Sequence, residues 1–189
     1  YSKMPEQVKK DLIEKLNTEI ANGILKRLPK GVTPMHILPI FPVGKRGDDG
    51  KIALNSNQIR LVMDCSRSLN VATQFSATQS DNIKSIVQKV ARKTKKGLFC
   101  TLDISQMFFS FEIERKLQKY FCVEHPTCGI FAYTRLPMGW IASVASSREF
   151  LMRMLYAHEE YTTRYLDDLC IFGDTEKEFL DNFAAVLKT

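Results

Sequence analysis

Tyr165-Leu166-Asp167-Asp168-Leu169-Cys170-Ile171-Phe172 decides the fold. Two adjacent acids break an apolar run, so the stretch reads as one interrupted strand or as a hairpin of two. Burying an unpaired carboxylate is costly, and neighbouring carboxylates also repel each other. Such a pair persists at a solvated hairpin tip, where Asp-Asp is good turn chemistry, or where a cation compensates it. The tetrapeptide alone leaves both readings open.

A second acidic signal stands upstream in Thr101-Leu102-Asp103-Ile104-Ser105-Gln106-Met107-Phe108-Phe109. A lone Asp closing an apolar strand is ordinarily a turn or helix cap. Together with Asp167 and Asp168 it becomes the third carboxylate from two strand ends. That set suits divalent cations bridging substrate phosphates, because magnesium prefers oxygen ligands and takes one or two carboxylates plus phosphate oxygens. Two such ions could activate a hydroxyl and stabilise a leaving pyrophosphate in an in-line displacement.

The 189 residues suffice for one domain or for two lobes sharing a core. An apolar content of 44% with 25% charged residues is that of a soluble globular protein. No apolar run approaches the roughly 20 residues that cross a bilayer, and the N-terminus has no signal-peptide pattern, so no membrane partner is expected. The net charge of +6 and pI near 9.1 favour polyanionic partners. Five cysteines are an odd number. Cys65, Cys100, Cys122 and Cys170 lie in or beside apolar stretches, as small core hydrophobes do in a reducing, intracellular setting. Cys122 and Cys128 flank His125, but no second pair exists to complete a zinc site.

The periodicity predicts a helix over 5–28, from Val8, Leu12, Leu16, Ile20, Ile24 and Leu28. Ile37–Val43, with two prolines, reads as an edge strand, and Ile59–Asp64 as its return. The glycine-rich basic stretch 44–51 would be the tip between them. Residues 82–96 and 143–158 read as helices, Leu98–Ile104 as a buried strand, and Lys119–Glu124 with Gly129–Arg135 as a hairpin. Thr175-Glu176-Lys177-Glu178 has the form of a capping box opening a last helix. Strands interleave with helices, so the class is α+β or α/β.

The ordered set of motifs resembles the reverse transcriptases of retroviruses and LTR retrotransposons. Asn22-Gly23-Ile24-Leu25, the proline-containing strand and Gly44-Lys45-Arg46 look like the entry into the fingers. Arg60-Leu61-Val62-Met63-Asp64 with Arg67-Ser68-Leu69-Asn70 is similar to the family's Arg-x-Val-x-Asp-x-Arg-x-Leu-Asn segment. Leu102-Asp103-Ile104 through Phe109 resembles its first catalytic motif. Leu136-Pro137-Met138-Gly139-Trp140 resembles its Leu-Pro-x-Gly segment, and Tyr165–Asp168 its Tyr-x-Asp-Asp box.

The resemblance implies an α+β right-hand polymerase, fingers and palm, with an antiparallel palm sheet backed by helices. Residues 1–75 would be fingers, with the N-terminal helix and a β-hairpin, and 76–97 a helical junction. Residues 98–118 would be palm with the first catalytic motif, 119–136 the fingers hairpin return, and 137–189 palm with the Tyr-x-Asp-Asp hairpin. It further implies RNA- and DNA-templated DNA synthesis, with dNMP transferred to a primer 3′-hydroxyl by two Mg²⁺ ions, which Mn²⁺ can replace. Asp103, Asp167 and Asp168 would bind the metals, helped by the Ile104 carbonyl. Lys45 and Arg60 would clamp the triphosphate, although Lys45 also reads as a solvated loop charge with Arg46 beside it. Phe108 matches the position that excludes a 2′-hydroxyl, and it also reads as plain core packing. Met138 and Gly139 match positions beside the nucleotide, and Tyr165 one near the primer terminus. Lys89, Arg92 and Lys93 would contact template or primer phosphates, or form a solvated helix end.

Asp64 and Arg67 stand one residue further apart than in typical retroviral members, and Val144 replaces a common proline. The chain stops at Thr189, so the resemblance implies a thumb and RNase H domain further on, or a dimer. Tyr1, not an initiator methionine, suggests excision from a longer polyprotein. The expected partners are an RNA or DNA template with its primer, and dNTP. The expected location is the cytoplasm or a virus-like particle. The competing reading is a non-catalytic, retroelement-derived nucleic-acid-binding or structural module that keeps the fold.

Overall fold

The computed structural model describes residues 4–44, 59–74, 82–95 and 97–189. It divides into two compact units: Tyr1–Gln74 with Phe108–Ser143, and Phe75–Met107 with Val144–Thr189. Each combines helices with antiparallel sheet, so the class is α+β.

The first unit opens with α1 (Glu6–Ala21), whose buried face carries Leu12 and Leu16. The helix ends at Ala21, short of the expected residue 28. Asn22 caps the helix, and Gly23 follows at φ 71°, a left-handed conformation that glycine adopts without cost. The Gly23 and Ile24 N–H groups close the last turn on the Ile20 and Glu19 carbonyls, at 3.0 and 2.9 Å. The apolar spacing runs on past the cap because Leu25 is buried as a strand residue, in β1 (Leu25–Arg27).

β1 pairs antiparallel with β6 (Gly129–Tyr133), which also pairs with β5 (Cys122–His125), giving the order β1-β6-β5. The predicted hairpin is therefore present, although Lys119 lies in a 3₁₀ turn over Gln118–Tyr120 that precedes it. The proline-containing strand is β2 (Ile40–Gly44), paired with β3 (Ile59–Met63) in a separate two-stranded ribbon. Its predicted tip falls outside the described residues. A short helix, α2 (Leu69–Ala72), follows. Sixteen buried residues form this unit's core, among them Leu16, Leu25, Met63, Val123 and Tyr133.

The second unit has α3 (Ile83–Lys93), capped by the Asn82 side chain accepting from the Ser85 N–H at 2.8 Å. Its sheet runs β4-β8-β7, from β4 (Leu98–Asp103), β7 (Thr162–Tyr165) and β8 (Asp168–Gly173). β4 is not the fully buried strand expected. Its burial alternates, and Phe99 is 58% exposed, because one face of this sheet packs and the other does not. On the packed face Leu169 and Ile171 meet Leu155 and Val186, flanked by Cys100, Leu102 and Met154.

α4 (Ile141–Met154) begins in the first unit and continues into the second, followed by a 3₁₀ turn over Tyr156–His158. α5 (Glu176–Leu187) ends the chain. Thr175 Oγ1 accepts from the Glu178 N–H at 3.2 Å, while the Glu178 carboxylate accepts from the Asp174 N–H at 3.1 Å. The box closes one residue earlier than its standard form, and still satisfies two backbone donors. Gly173 lets α5 lie against the end of β8: a Cβ there would stand 2.6 Å from the Phe179 nitrogen.

Among the described residues no helix is long and apolar enough to cross a membrane. Burial pushes the Cys65 and Cys122 thiols up to about 11, so both stay protonated as small core hydrophobes. His125 Nδ1 accepts from the Thr127 and Cys128 N–H groups at 3.2 Å each, which ties that nitrogen into the β5–β6 turn.

Candidate active site

The acids meet through strand register. β4 and β8 are antiparallel with Asp103 directly opposite Asp168, and β7 and β8 pair with Tyr165 opposite Asp168. Directly opposed residues project to the same side of a sheet with Cβ atoms about 5 Å apart. Asp103, Asp168 and Tyr165 therefore share the face of the sheet away from Leu102 and Leu169, and all three are exposed. Like charges at opposed positions are destabilising unless something compensates them. None of the carboxylates of Asp103, Asp167 and Asp168 pairs with a Lys, Arg or His among the described residues.

Tyr165 and Asp168 being paired, Leu166 and Asp167 form a two-residue hairpin loop. Leu166 has φ 56°, the sign such loops require at their first central position, where glycine is usual. A side chain held there costs about 1–2 kcal/mol. Gln106, three residues past Asp103, has φ 52°, and these are the only two non-glycine residues with positive φ among those described. Strained backbone thus flanks both acidic segments, as it often does at functional sites. The Ile104 N–H donates to the Asp167 carbonyl at 3.0 Å, fastening the end of β4 to the tip of the hairpin. Sequence reasoning had no signal for this bond, nor for the strain at Leu166.

Among the described residues no three His, Cys, Asp or Glu side chains are gathered closely enough to hold an ion unaided. The donor set nevertheless fits a hard cation that keeps waters and takes phosphate oxygens, for which one or two carboxylates suffice.

The other expected site residues are placed as follows. Lys45 lies outside the described residues. Arg60 is exposed on β3, opposite Val43. Phe108 sits in a 3₁₀ turn over Met107–Ser110, half-buried and packed on the first unit's core. Met138 is half-buried, and its carbonyl accepts from the Met63 N–H at 2.9 Å. Gly139 has φ 105°, and a Cβ on it would stand 2.0 Å from the Met63 carbonyl oxygen, so only glycine fits. Lys89, Arg92 and Lys93 line a surface groove along α3 with Ser85 and Gln88. The Lys89 ammonium also donates to the Glu159 carbonyl at 2.7 Å.

One titratable site that the sequence did not announce is Glu19, 2% exposed on α1. The Tyr133 hydroxyl donates to its carboxylate at 3.1 Å. Desolvation raises its pKa to about 7, against the lowering effects of that hydrogen bond and of Lys15.

Residues 51–189 match the model of the reverse transcriptase (RNA-dependent DNA polymerase) family. No curated protein sequence matches the chain. Among solved structures, the fold is similar to the foamy viral protease–reverse transcriptase in complex with an RNA/DNA hybrid. That match has TM-score 0.77 and 21% identity, covering 98% of this chain and 22% of that one. The foamy viral enzyme in complex with double-stranded DNA gives 0.75 at 19% identity, covering 97% and 30%. The native prototype foamy virus protein gives 0.73 at 21%, covering 98% and 23%. The chain thus spans less than a third of the length of these solved relatives.

Proposed function

The chain belongs to the reverse transcriptase family, and on that premise we propose that it carries the DNA-polymerising centre of an RNA- and DNA-templated polymerase. The observation that carries this reading is the register that sets Asp103 beside Asp168, with the Asp167 carbonyl held by Ile104. Asp103, Asp167 and Asp168, with the Ile104 carbonyl, would hold two Mg²⁺ ions, or Mn²⁺ in their place. Bound there, the ions would lower the pKa of a primer 3′-hydroxyl and neutralise charge on the departing pyrophosphate.

The remaining roles follow the family's motifs position by position. Arg60 and Lys45 bind triphosphate oxygens, Arg60 as a two-pronged donor and Lys45 as a point charge. Phe108 rejects a ribose 2′-hydroxyl by bulk, which is discrimination by exclusion, not by a hydrogen bond. Met138 and Gly139 bound the nucleotide by shape. Tyr165 lies near the primer terminus. Lys89, Arg92 and Lys93 hold phosphates of template or primer, and their contribution weakens with salt. Residues 1–75 and 119–136 would supply the fingers, and 98–118 with 137–189 the catalytic palm. The substrates are dNTP and a primed RNA or DNA template, and the setting is intracellular.

Primer extension on RNA and DNA templates tests the reading. Incorporation should require Mg²⁺ or Mn²⁺ and vanish in Asp167→Asn. A folded Asp167→Asn protein that still extends the primer overturns the assignment. A titration showing no metal-dependent dNTP binding to the unaltered chain favours a non-catalytic module instead.

A further inference from the structure

One side chain, that of Asn70, makes two hydrogen bonds to the segment proposed to face the nucleotide. Asn70, half-buried on α2, donates from Nδ2 to the Gly139 carbonyl at 3.1 Å and accepts at Oδ1 from the Ile141 N–H at 2.9 Å. The partners fix the amide's orientation, since a carbonyl needs the NH₂ and an N–H needs the oxygen. Both bonds cross about 70 residues of chain. Ile141 is the first residue of α4, where the N–H has no intrahelical acceptor, so Asn70 supplies one.

Asn70 is itself held in place. Its N–H donates to the Cys65 carbonyl at 2.9 Å. The Thr73 hydroxyl donates to the Leu69 carbonyl at 2.6 Å and accepts from the Trp140 indole N–H at 2.9 Å. Trp140 in turn sets its ring edge-on against Phe121, with centroids 4.9 Å apart. Met63 also lies close against Gly139, and its N–H donates to the Met138 carbonyl at 2.9 Å. Residues 138–141 are thus tied to both β3 and α2 within the first unit.

We propose that Asn70 is a positioning residue for nucleotide selection, fixing the Met138-Gly139 backbone and the start of α4 through its two hydrogen bonds. The role rests on the polymerase reading above. Releasing Gly139 loosens a surface that contacts substrate equally before and during reaction, so the loss falls on KM for dNTP and not on kcat. The Asn70→Ala variant should raise that KM about tenfold, the scale of one or two lost hydrogen bonds, with kcat and KM for primer–template little changed. A merely structural defect would instead lower the active fraction, reducing kcat for every substrate.

The Asn70→Asp variant separates the bonds, since its carboxylate still accepts from Ile141 but cannot donate to Gly139. It should show the raised KM while the Ile141 amide stays protected from hydrogen exchange; in Asn70→Ala that protection is lost. Asn70→Asp also carries the test if Asn70→Ala does not fold. An active parent whose dNTP KM is unchanged in the folded variants overturns the role of Asn70 alone. A parent with no metal-dependent dNTP binding overturns the polymerase reading, and the nucleotide role with it.

Discussion

At the scale of single residues, Glu19 shows how burial can set a pH dependence far from any catalytic acid. Its carboxyl is enclosed between α1 and β6, with one hydrogen bond from Tyr133 and the charge of Lys15 nearby. Desolvation penalises the ionised form, raising the pKa to about 7 from the 4.5 expected in an unfolded chain. The unfolded state therefore releases the proton first as pH rises. The stabilising contribution is complete below about pH 4.5 and is lost as pH climbs through about 7. At 1.36 kcal/mol per pKa unit, the loss is about 3 kcal/mol. Glu19→Gln keeps the acceptor for Tyr133 and cannot ionise. Urea unfolding at pH 5 and pH 8 should show the parent losing stability relative to the variant over that interval. Equal slopes for the two proteins would mean the carboxyl reaches water in the folded state. Nothing in the sequence announces this pair, because Glu19 and Tyr133 are 114 positions apart. A glutamate on an amphipathic helix ordinarily reads as solvent-facing.

Elements were legible wherever the side-chain period and the local stop signals agreed. The β2–β3 ribbon, the β5–β6 hairpin and the Thr175 cap on α5 follow from alternation, prolines and capping residues. The end of α1 was misread because burial continued in phase through Ile24 and Leu25 while the backbone changed from helix to strand. The glycine at position 23 outweighs the apolar spacing there. β4 was misread for a different reason: Thr101 and Asp103 already alternate with apolar residues, but Phe99, large and apolar, shares their open face of the sheet. The contact between β8 and α5 was not legible, since it depends on the absence of a side chain. A Cβ at Gly173 would stand 2.6 Å and 2.7 Å from the Phe179 nitrogen and Cα, backbone atoms that cannot swing aside. Gly173→Ala must push α5 away from the strand that carries Asp168. Overpacking of this kind costs about 1–3 kcal/mol. The loss should appear as a lower urea midpoint with unchanged slope, whereas stability equal to the parent's would mean α5 yields freely.

For the whole molecule, the order of motifs along the chain identified the family. The distribution of core between the two units was hidden, because each unit is assembled from discontinuous stretches. That distribution is unequal among the described residues. Sixteen buried residues form the core of the first unit, while the cluster beneath the acids has four: Leu155, Leu169, Ile171 and Val186. Apolar burial is the main favourable term in folding, so the acid-bearing unit is held by the smaller share of it. Local opening draws on regions with few buried apolar contacts. The catalytic candidates sit on such a region, with two cross-strand carboxylates and a strained Leu166 adding to its cost. Native-state hydrogen exchange should resolve two classes of amide. Those of Leu169 and Ile171 should open at a free energy roughly 1–2 kcal/mol below those of Val123 and Phe131. If Mg²⁺ and dNTP bind at the acids, a hundredfold excess over Kd adds about 2.7 kcal/mol to the bound region. The added protection should then appear at Leu169 and Ile171, narrowing the gap. A single opening free energy shared by all four amides without ligand would show one cooperative body, and the unequal cores would then have no consequence for the site.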